Sequence, residues 1–187
     1  MLLLVRHAET AANALGHLLG RADPPLSPTG RAQAAALAAW LPPVDIVVSS
    51  PLRRARQTAA ALGLPTLVDE RWIERDYGEF DDRPPHAITD EMWRRWQTDE
   101  SYTPAGVEAD HEVAARVREA CADLVGDATS ATVVVVTHVS PIKAAIQWAL
   151  DTTSPLAWRL FVEDASVSRV DIEASGPVLR WFNRRGH

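Results

Sequence analysis

The chain has 187 residues, 47% hydrophobic and 24% charged, a composition typical of a globular domain that buries a substantial core. Its net charge of −6 argues against general binding to nucleic acid or acidic membranes, and no apolar run is long enough to span a membrane. The single cysteine, Cys121, excludes an internal disulfide and a cysteine-rich metal site. Since the start of the chain is too short and too uncharged for a signal peptide, we expect a cytoplasmic protein.

The first residues contain a strand followed at once by two chemically active side chains. Leu2 to Val5 is an uninterrupted apolar run, typical of a strand buried on both faces of a parallel sheet, and Arg6-His7 follows it. Ligands of open α/β sheets lie beyond the carboxyl ends of such strands. An arginine fork suits phosphate, and a histidine can serve as base, acid or nucleophile. Taken alone, the dipeptide is also compatible with chance.

The rest of the chain alternates between predicted helices and strands. Further strands are predicted at Asp45–Ser49, about 65–69, Thr132–Val136, Leu160–Val162, Val167–Ile172 and Val178–Phe182. Helices are predicted over Glu9–Leu19, from Ser27-Pro28 to Pro42, from Ser50-Pro51 to about Leu62, over about 109–125, and from Ser140-Pro141. These units predict an α/β fold, a three-layer α/β/α sandwich whose mostly parallel sheet has an edge antiparallel strand.

Two of the Ser-Pro pairs, at Ser50 and Ser140, come almost directly after predicted buried strands. Helix N-termini carry unpaired backbone N–H groups and the positive end of the helix dipole. The sequence therefore predicts an anion-binding edge of the sheet.

Residues 76–107 interrupt the alternation with charged clusters, Pro84-Pro85, Trp93 and Trp96. A segment of this length inside a compact domain is usually functional or disordered. We expect a small, partly helical cap over the site, with a helix over Ile88–Trp96, inserted into a single domain that covers residues 1–187. A simpler role for the tryptophans is to pack this insertion onto the domain.

Several motifs, in order along the chain, resemble those of the histidine phosphatase superfamily, the phosphoglycerate-mutase-like proteins. They are Leu4-Val-Arg-His-Ala-Glu-Thr10, Asn13, Leu26-Ser-Pro-Thr-Gly-Arg-Ala-Gln-Ala34, Ser49-Ser-Pro-Leu-Arg-Arg-Ala-Arg-Gln-Thr58, Glu74-Arg-Asp-Tyr-Gly-Glu79 and Val136-Thr-His138. The resemblance covers almost the whole chain and implies a single histidine-phosphatase domain.

Spacing alone does not decide which histidine is the nucleophile. The resemblance makes His7 the nucleophile and His138 the supporting group, and it implies that Arg6, Arg54 and His138 offset charge on the phosphoryl oxygens. It also implies contacts to phosphate from Thr10, Asn13 and Val139. The remaining histidines have weaker claims; they are His17, His86, His111 and His187.

Arg53 and Arg54 are neighbours on a predicted helix, so their side chains point about 100° apart and only one can face a pocket. The resemblance selects Arg54, because the phosphate-binding arginine of the family precedes an alanine, here Ala55. Arg53 is then expected on the surface.

The leaving alkoxide needs a proton donor, and three carboxyl groups are candidates. They are Glu74, Asp76 and Glu79. The resemblance selects Glu74, four residues before Gly78. It gives Asp164-Ala-Ser166, which is similar to a motif near the family's C-terminal strand, a structural role.

The sequence thus predicts a metal-independent phosphomonoester hydrolase that acts through a phosphohistidine on a small molecule and binds phosphate or sulfate in its site. No cofactor and no metal are expected. A cofactor-dependent phosphoglycerate mutase and a non-catalytic phosphate-binding or regulatory protein are the alternatives. The substrate stays open because Val139, Phe80 and Asp82 replace residues that are common in the family, and the oligomeric state is open too.

Overall fold

The computed structural model describes residues 1–99, 101–152 and 156–186. His187 lies outside these residues. The described strands are β1 (Leu2–Arg6), β2 (Ile46–Ser49), β3 (Thr66–Val68), β4 (Val133–Thr137), β5 (Val167–Glu173) and β6 (Gly176–Arg184). The described helices are α1 (Ala11–Ala14), α2 (Pro28–Trp40), α3 (Arg53–Ala60), α4 (Asp90–Thr98), α5 (Asp110–Ser130) and α6 (Val139–Ala149).

The strands form one sheet in the order β3-β2-β4-β1-β5-β6. The first four run parallel, and β5 is antiparallel to both of its neighbours, β1 and β6. The mostly parallel sheet with antiparallel pairing on one side is therefore confirmed. The antiparallel strand lies one position in from the edge, which β6 occupies.

Helices cover both faces of this sheet, as the three-layer prediction requires. Leu2 and Leu4 of β1 pack with residues of α5 and α6, whereas Leu3 and Val5 pack with residues of α2 and α3. Successive side chains of a strand point to opposite faces, so a strand covered on both sides needs an unbroken apolar run. The apolar runs of β1 and β4 satisfy that need, and all four residues from Val133 to Val136 are fully buried.

Two of the three Ser-Pro helix starts are wrong in detail. Ser27 does cap α2, accepting a hydrogen bond from the Gly30 amide at 2.9 Å. The helix after β2 begins only at Arg53, whose backbone amide donates to the Asp23 carboxylate, and the Ser50 hydroxyl bonds to a histidine across the sheet edge. The helix after β4 begins at Val139, before Ser140, because its first amides bond to a carboxylate.

Three further segments differ from prediction. The helix expected over Glu9–Leu19 is only α1, which ends before Gly16 adopts a left-handed φ of +71°. Leu160–Val162 forms no strand, because its backbone turns toward Arg6 and the Val162 carbonyl accepts a bond from that side chain. In the other direction, α5 continues past the predicted Val125 to Ser130.

The segment 76–107 contains two short 3₁₀ turns, Gly78–Phe80 and Pro85–Ala87, followed by α4. The helix expected over Ile88–Trp96 is α4, which begins and ends two residues later. It has an apolar cluster of its own, formed by Phe80, Ile88, Trp96 and Val107. Trp96 is buried, and its ring lies 5.6 Å from that of Trp93 and 5.2 Å from that of Trp158. At least Trp96 therefore packs this segment together. No helix in the described part of the chain has the length and apolarity needed to cross a bilayer.

Candidate active site

Three parallel strands end side by side and bring together the residues that follow them. Arg6 pairs with Thr137, and Ser49 pairs with Val136. The next backbone step continues the pairing, because the His7 amide donates to the Thr137 carbonyl at 2.9 Å. The rings of His7 and His138 are consequently 5.0 Å apart, so two predicted site residues far apart in sequence meet at the sheet edge.

Hydrogen bonds to His7 leave one of its ring nitrogens available for nucleophilic attack. Its Nδ1 lies 2.8 Å from the Ala8 carbonyl oxygen, which can only accept, so we assign the ring proton to Nδ1. Nε2 then carries the lone pair of the ring, which accepts a hydrogen bond from the Nε–H of Arg54 at 3.2 Å. Burial, followed by the charges of Arg54 and Arg6, lowers the pKa of His7 well below its usual value and keeps the ring neutral.

Arg54 faces the site, and Arg53 faces solvent. The Arg54 side chain is fully buried and donates to the Gly20 and Ala22 carbonyls, each at 2.6 Å, whereas Arg53 is exposed. Burial lowers the pKa of Arg54 to about 10, so the group is still a cation at neutral pH. The two neighbouring side chains thus point in different directions, and Arg54, which the resemblance selected, is the one that contacts His7.

Asp81 holds the same loop from its other side. Its carboxylate accepts from the Gly20 amide at 2.7 Å and from the Ala22 amide at 2.6 Å. The loop at 20–22 is thus fixed between a buried guanidinium on its carbonyls and a carboxylate on its amides. Sequence reasoning missed Asp81, which lies in a polar stretch without periodicity.

Arg6 is held by the chain that enters β5. Its two terminal nitrogens lie 2.6 Å from the Val162 carbonyl and 2.8 Å from the Asp164 carboxylate. Its buried Nε has no hydrogen-bond partner among the described residues. Asp164, for which a structural role was expected, thus holds the predicted site residue Arg6 in place. Burial raises the pKa of the Asp164 carboxyl group.

His138 is fully buried and pairs with Ser50, with 2.7 Å between Nε2 and the hydroxyl oxygen. Its Nδ1 is buried without a partner in the part of the chain that the structure describes. Burial, together with the charge of Arg54, lowers the pKa of His138 well below its usual value. The Ser50-Pro51 pair predicted that Ser50 caps a helix. Ser50 follows the end of β2 directly, as His7 follows the end of β1, and this position could have identified Ser50 as a residue of the site.

Glu74 is the one of the three candidate carboxylates that lies at this edge of the sheet. It is buried, and its oxygens accept from the amides of Val139 at 3.0 Å and Ser140 at 3.1 Å at the start of α6. The Val139 amide, predicted to contact phosphate, is therefore bonded to Glu74. Asp76 lies near Arg21, 3.5 Å from it, and Glu79 is exposed.

Thr10 and Asn13 cap α1 beside the site. Thr10 is fully buried, and its hydroxyl donates to the Asn13 side-chain oxygen at 2.7 Å. The Asn13 backbone amide donates to that same hydroxyl. Thr58 supports the same turn by accepting from the Ala8 amide at 3.0 Å. These contacts fix the backbone around His7.

The other described histidines have no part in this cluster. His17 lies 3.1 Å from the exposed Asp82 carboxylate, and His86 and His111 are exposed. No group of three or more His, Cys, Asp or Glu side chains that could hold a metal ion is found among the described residues.

The arrangement as a whole is an anion site with a nucleophile. The buried guanidinium of Arg54, the partly buried guanidinium of Arg6 and two neutral imidazoles surround the ends of β1 and β4. Two buried nitrogens of this cluster have no protein partner among the described residues. Such groups can bind a phosphoryl group and stabilise charge as it develops. The sequence profile of the histidine phosphatase superfamily (branch 1) matches residues 2–185, and the chain belongs to this superfamily.

Named relatives fit this membership. A bifunctional protein of Mycobacterium tuberculosis is 36% identical over 202 residues, and the match covers 100% of this chain and 54% of that protein, so this chain spans about half its length. Phosphoserine phosphatase 1 of Hydrogenobacter thermophilus is 31% identical over 196 residues, covering 100% of this chain and 93% of that protein. The structure of a mycobacterial glucosyl-3-phosphoglycerate phosphatase complexed with VO3 matches with a TM-score of 0.88 and 30% identity, covering 97% of this chain and 98% of that one. These likenesses support a histidine-type phosphatase.

Proposed function

We propose that this chain is a metal-independent phosphomonoester hydrolase that acts on a small molecule through a phosphohistidine at His7. The observation that carries the proposal is the unprotonated Nε2 of a neutral, buried His7, which accepts a hydrogen bond from Arg54 at the end of the sheet. The phosphatase and vanadate-bound relatives support it.

In the first step the Nε2 lone pair attacks phosphorus, and the bond from phosphorus to the ester oxygen breaks. Arg6, Arg54 and His138 offset charge on the phosphoryl oxygens. For His138 we infer that Ser50, whose hydroxyl already accepts from the Leu52 amide at 3.3 Å, donates to Nε2, which leaves Nδ1–H as a donor to phosphate.

We assign the proton donor to Glu74, which lies beside the site, rather than to Asp76 or Glu79. The Glu74 carboxyl gives its proton to the leaving oxygen and so releases the alcohol. In the second step the resulting carboxylate takes a proton from water, the water oxygen bonds to phosphorus, and the bond to His7 Nε2 breaks. Inorganic phosphate leaves, and Glu74 is protonated again.

The segment 76–107 is proposed as a cap inserted into a single domain, with Thr10 and Asn13 orienting the phosphate side of the site. The cap is short, which favours a phosphatase over a mutase that must retain a bisphosphorylated intermediate.

The first test is hydrolysis of p-nitrophenyl phosphate with and without EDTA, with His7→Ala beside the wild type. We expect turnover that EDTA leaves unchanged and that falls at least about 10³-fold in the variant. Folded wild type without turnover would contradict the hydrolase proposal. Conversion of 3-phosphoglycerate to its 2-phospho isomer would then indicate a mutase, and binding of phosphate alone would indicate a regulatory protein.

A second test separates the donor candidates. In a single turnover, Glu74→Gln should slow release of the alcohol from an alkyl phosphate by about 10²-fold or more, since alkoxide needs the proton, and release of nitrophenolate from p-nitrophenyl phosphate less, since nitrophenolate leaves unaided. Glu79→Gln is the matched control and should behave as wild type. Equal losses on both substrates in Glu74→Gln would argue against proton donation.

A further inference from the structure

The start of α2 packs directly on the backbone that follows His7. The Ser27 amide donates to the Glu9 carbonyl at 2.9 Å, and a Cβ at Gly30 would lie 2.0 Å from the same oxygen. Only a glycine permits so close an approach of the helix. The first turn of α2 is therefore fitted to the chain just beyond His7.

Gln33, three residues after Gly30, reaches the peptide group between Ala8 and Glu9. The Glu9 amide donates to its side-chain oxygen at 2.9 Å. The contact is made by the oxygen of the glutamine amide, because a backbone N–H can only donate. The carbonyl of the same peptide group, that of Ala8, is bonded to Nδ1 of His7 at 2.8 Å. One peptide group thus has Gln33 on its N–H and His7 on its C=O.

Hydrogen bonds at the two ends of one peptide group strengthen each other. When the N–H donates to an acceptor, the carbonyl oxygen becomes more negative and accepts more strongly. The bond to the Ala8 carbonyl decides which ring nitrogen of His7 carries the proton, and so leaves the lone pair on Nε2. An acceptor on the Glu9 amide therefore acts on the nucleophilic atom without touching it.

We propose that Gln33 is a positioning residue for His7, which fixes the peptide group between Ala8 and Glu9 and so keeps the ring proton on Nδ1. This inference rests on the proposed function, in which Nε2 of His7 attacks phosphorus. It gives the glutamine of the Leu26–Ala34 motif a part in the reaction. Because the bond that Gln33 forms is to the backbone, its loss should lower the rate of phosphoryl transfer and leave the affinity for phosphate unchanged.

Gln57 on α3 provides a matched control. Its side-chain oxygen accepts from the Leu26 amide at 2.8 Å, and it is half-buried like Gln33. The peptide group that it holds is not the one bonded to His7. Gln33→Met and Gln57→Met each remove one such acceptor, so both should lower the free energy of unfolding by similar amounts.

The two variants should differ in the chemical step. In a single turnover with p-nitrophenyl phosphate, Gln33→Met should slow release of nitrophenolate about 3- to 10-fold, the range for one net hydrogen bond, with the Kd for inorganic phosphate unchanged. Gln57→Met should match the wild type. Gln33→Glu, which keeps an acceptor oxygen, should retain most of the wild-type rate.

NMR of the His7 ring separates this role from the proposed function, because it needs no turnover. The Nδ1–H proton should move upfield in Gln33→Met, since its bond to the Ala8 carbonyl weakens, and stay in place in Gln57→Met. If this shift is found in a protein that does not hydrolyse p-nitrophenyl phosphate, the effect of Gln33 on the ring proton stands and the hydrolase proposal fails. A His7 resonance that Gln33→Met leaves unchanged, or in an active enzyme rates that do not distinguish the two methionine variants, would overturn the positioning role.

Discussion

The proposed phosphate side of the site and the pocket next to it are built in different ways. On the proposed phosphate side, His7 and His138 follow the ends of adjacent buried strands. Arg54 donates hydrogen bonds to His7 and to two backbone carbonyls. The lining of the pocket includes Lys143 and Arg75, which project from a helix and a loop. The residues proposed for phosphoryl transfer are thus positioned by the backbone of the sheet, whereas the residues of the pocket could be replaced without altering the sheet.

Among the substitutions that test this comparison, the largest effect on activity is expected from replacing the buried arginine of the proposed phosphate side. Arg54→Lys keeps the charge but loses the planar fork that bonds His7 and both loop carbonyls, so kcat/KM for p-nitrophenyl phosphate should fall about 10²- to 10³-fold. Arg53→Lys, one position earlier and exposed, should remain close to wild type. Similar losses in both variants would show that the phosphate side is less fixed than the comparison requires.

The tight packing beneath the phosphate side is tested with glycines. A Cβ at Gly30 would lie 2.0 Å from the Glu9 carbonyl oxygen, so Gly30→Ala should lower the free energy of unfolding by about 3 kcal/mol. Gly126, exposed in α5, has nothing within 4 Å of such a Cβ, so Gly126→Ala should raise it by about 0.5 to 1 kcal/mol. Urea denaturation measures both. A stable, fully active Gly30→Ala would contradict the close packing of Gly30 against the Glu9 backbone.

The pH dependence of stability probes the two neutral histidines. Burial is the main cause and the charge of Arg54 the second cause of the lowered pKa of His7 and of His138 in the folded state. Below the ordinary pKa of 6.5, the unfolded chain therefore binds protons that the folded chain does not. Stability is therefore complete above about pH 6.5 and falls below it by about 1.4 kcal/mol per pH unit for each histidine.

Unfolding by urea between about pH 5.5 and 7.5, in buffer without phosphate, measures this slope. His7→Gln should flatten it by one histidine's share. An unchanged slope in that variant would mean that His7 is protonated normally in the folded protein.

A smaller effect is expected from Asp81, which acts on Arg54 only through the loop. Asp81→Ala removes the acceptor for the Gly20 and Ala22 amides, so the carbonyls that orient Arg54 loosen and kcat should fall about tenfold. Asp82→Ala, which removes the neighbouring carboxylate from an exposed position, is the matched control. Steady-state kinetics should show the loss in kcat for Asp81→Ala only. A loss confined to the unfolding free energy would make Asp81 a structural residue.

The sequence predicted best what depends on buried strands. Residues 2–5 and 133–136 are apolar because helices cover both faces of the sheet, so their pattern located the strands and the histidines after them. Pattern could not place Asp81 or Ser50, because their partners lie on other segments and no periodicity marks such bonds. It failed at Leu160–Val162 for a related reason, since the Arg6 side chain uses a backbone carbonyl there.

The pocket of Lys143 and Arg75 was likewise invisible in the sequence. Its cations come from α6 and from the chain after Glu74, and only the folded chain shows that they line one pocket.

The most direct test of the central claim is to trap the phosphorylated enzyme. Glu74→Gln mixed with p-nitrophenyl phosphate should accumulate the intermediate, because nitrophenolate leaves without a proton donor while attack by water is slowed. Rapid quenching, peptide mapping and comparison with the two phosphohistidine isomers identify the modified atom. We predict base-stable phosphate on Nε2 of His7, since Nδ1 is bonded to the Ala8 carbonyl. Phosphate on His138, on Ser50 or on Nδ1 of His7, or release of nitrophenol with no labelled protein, would contradict the mechanism.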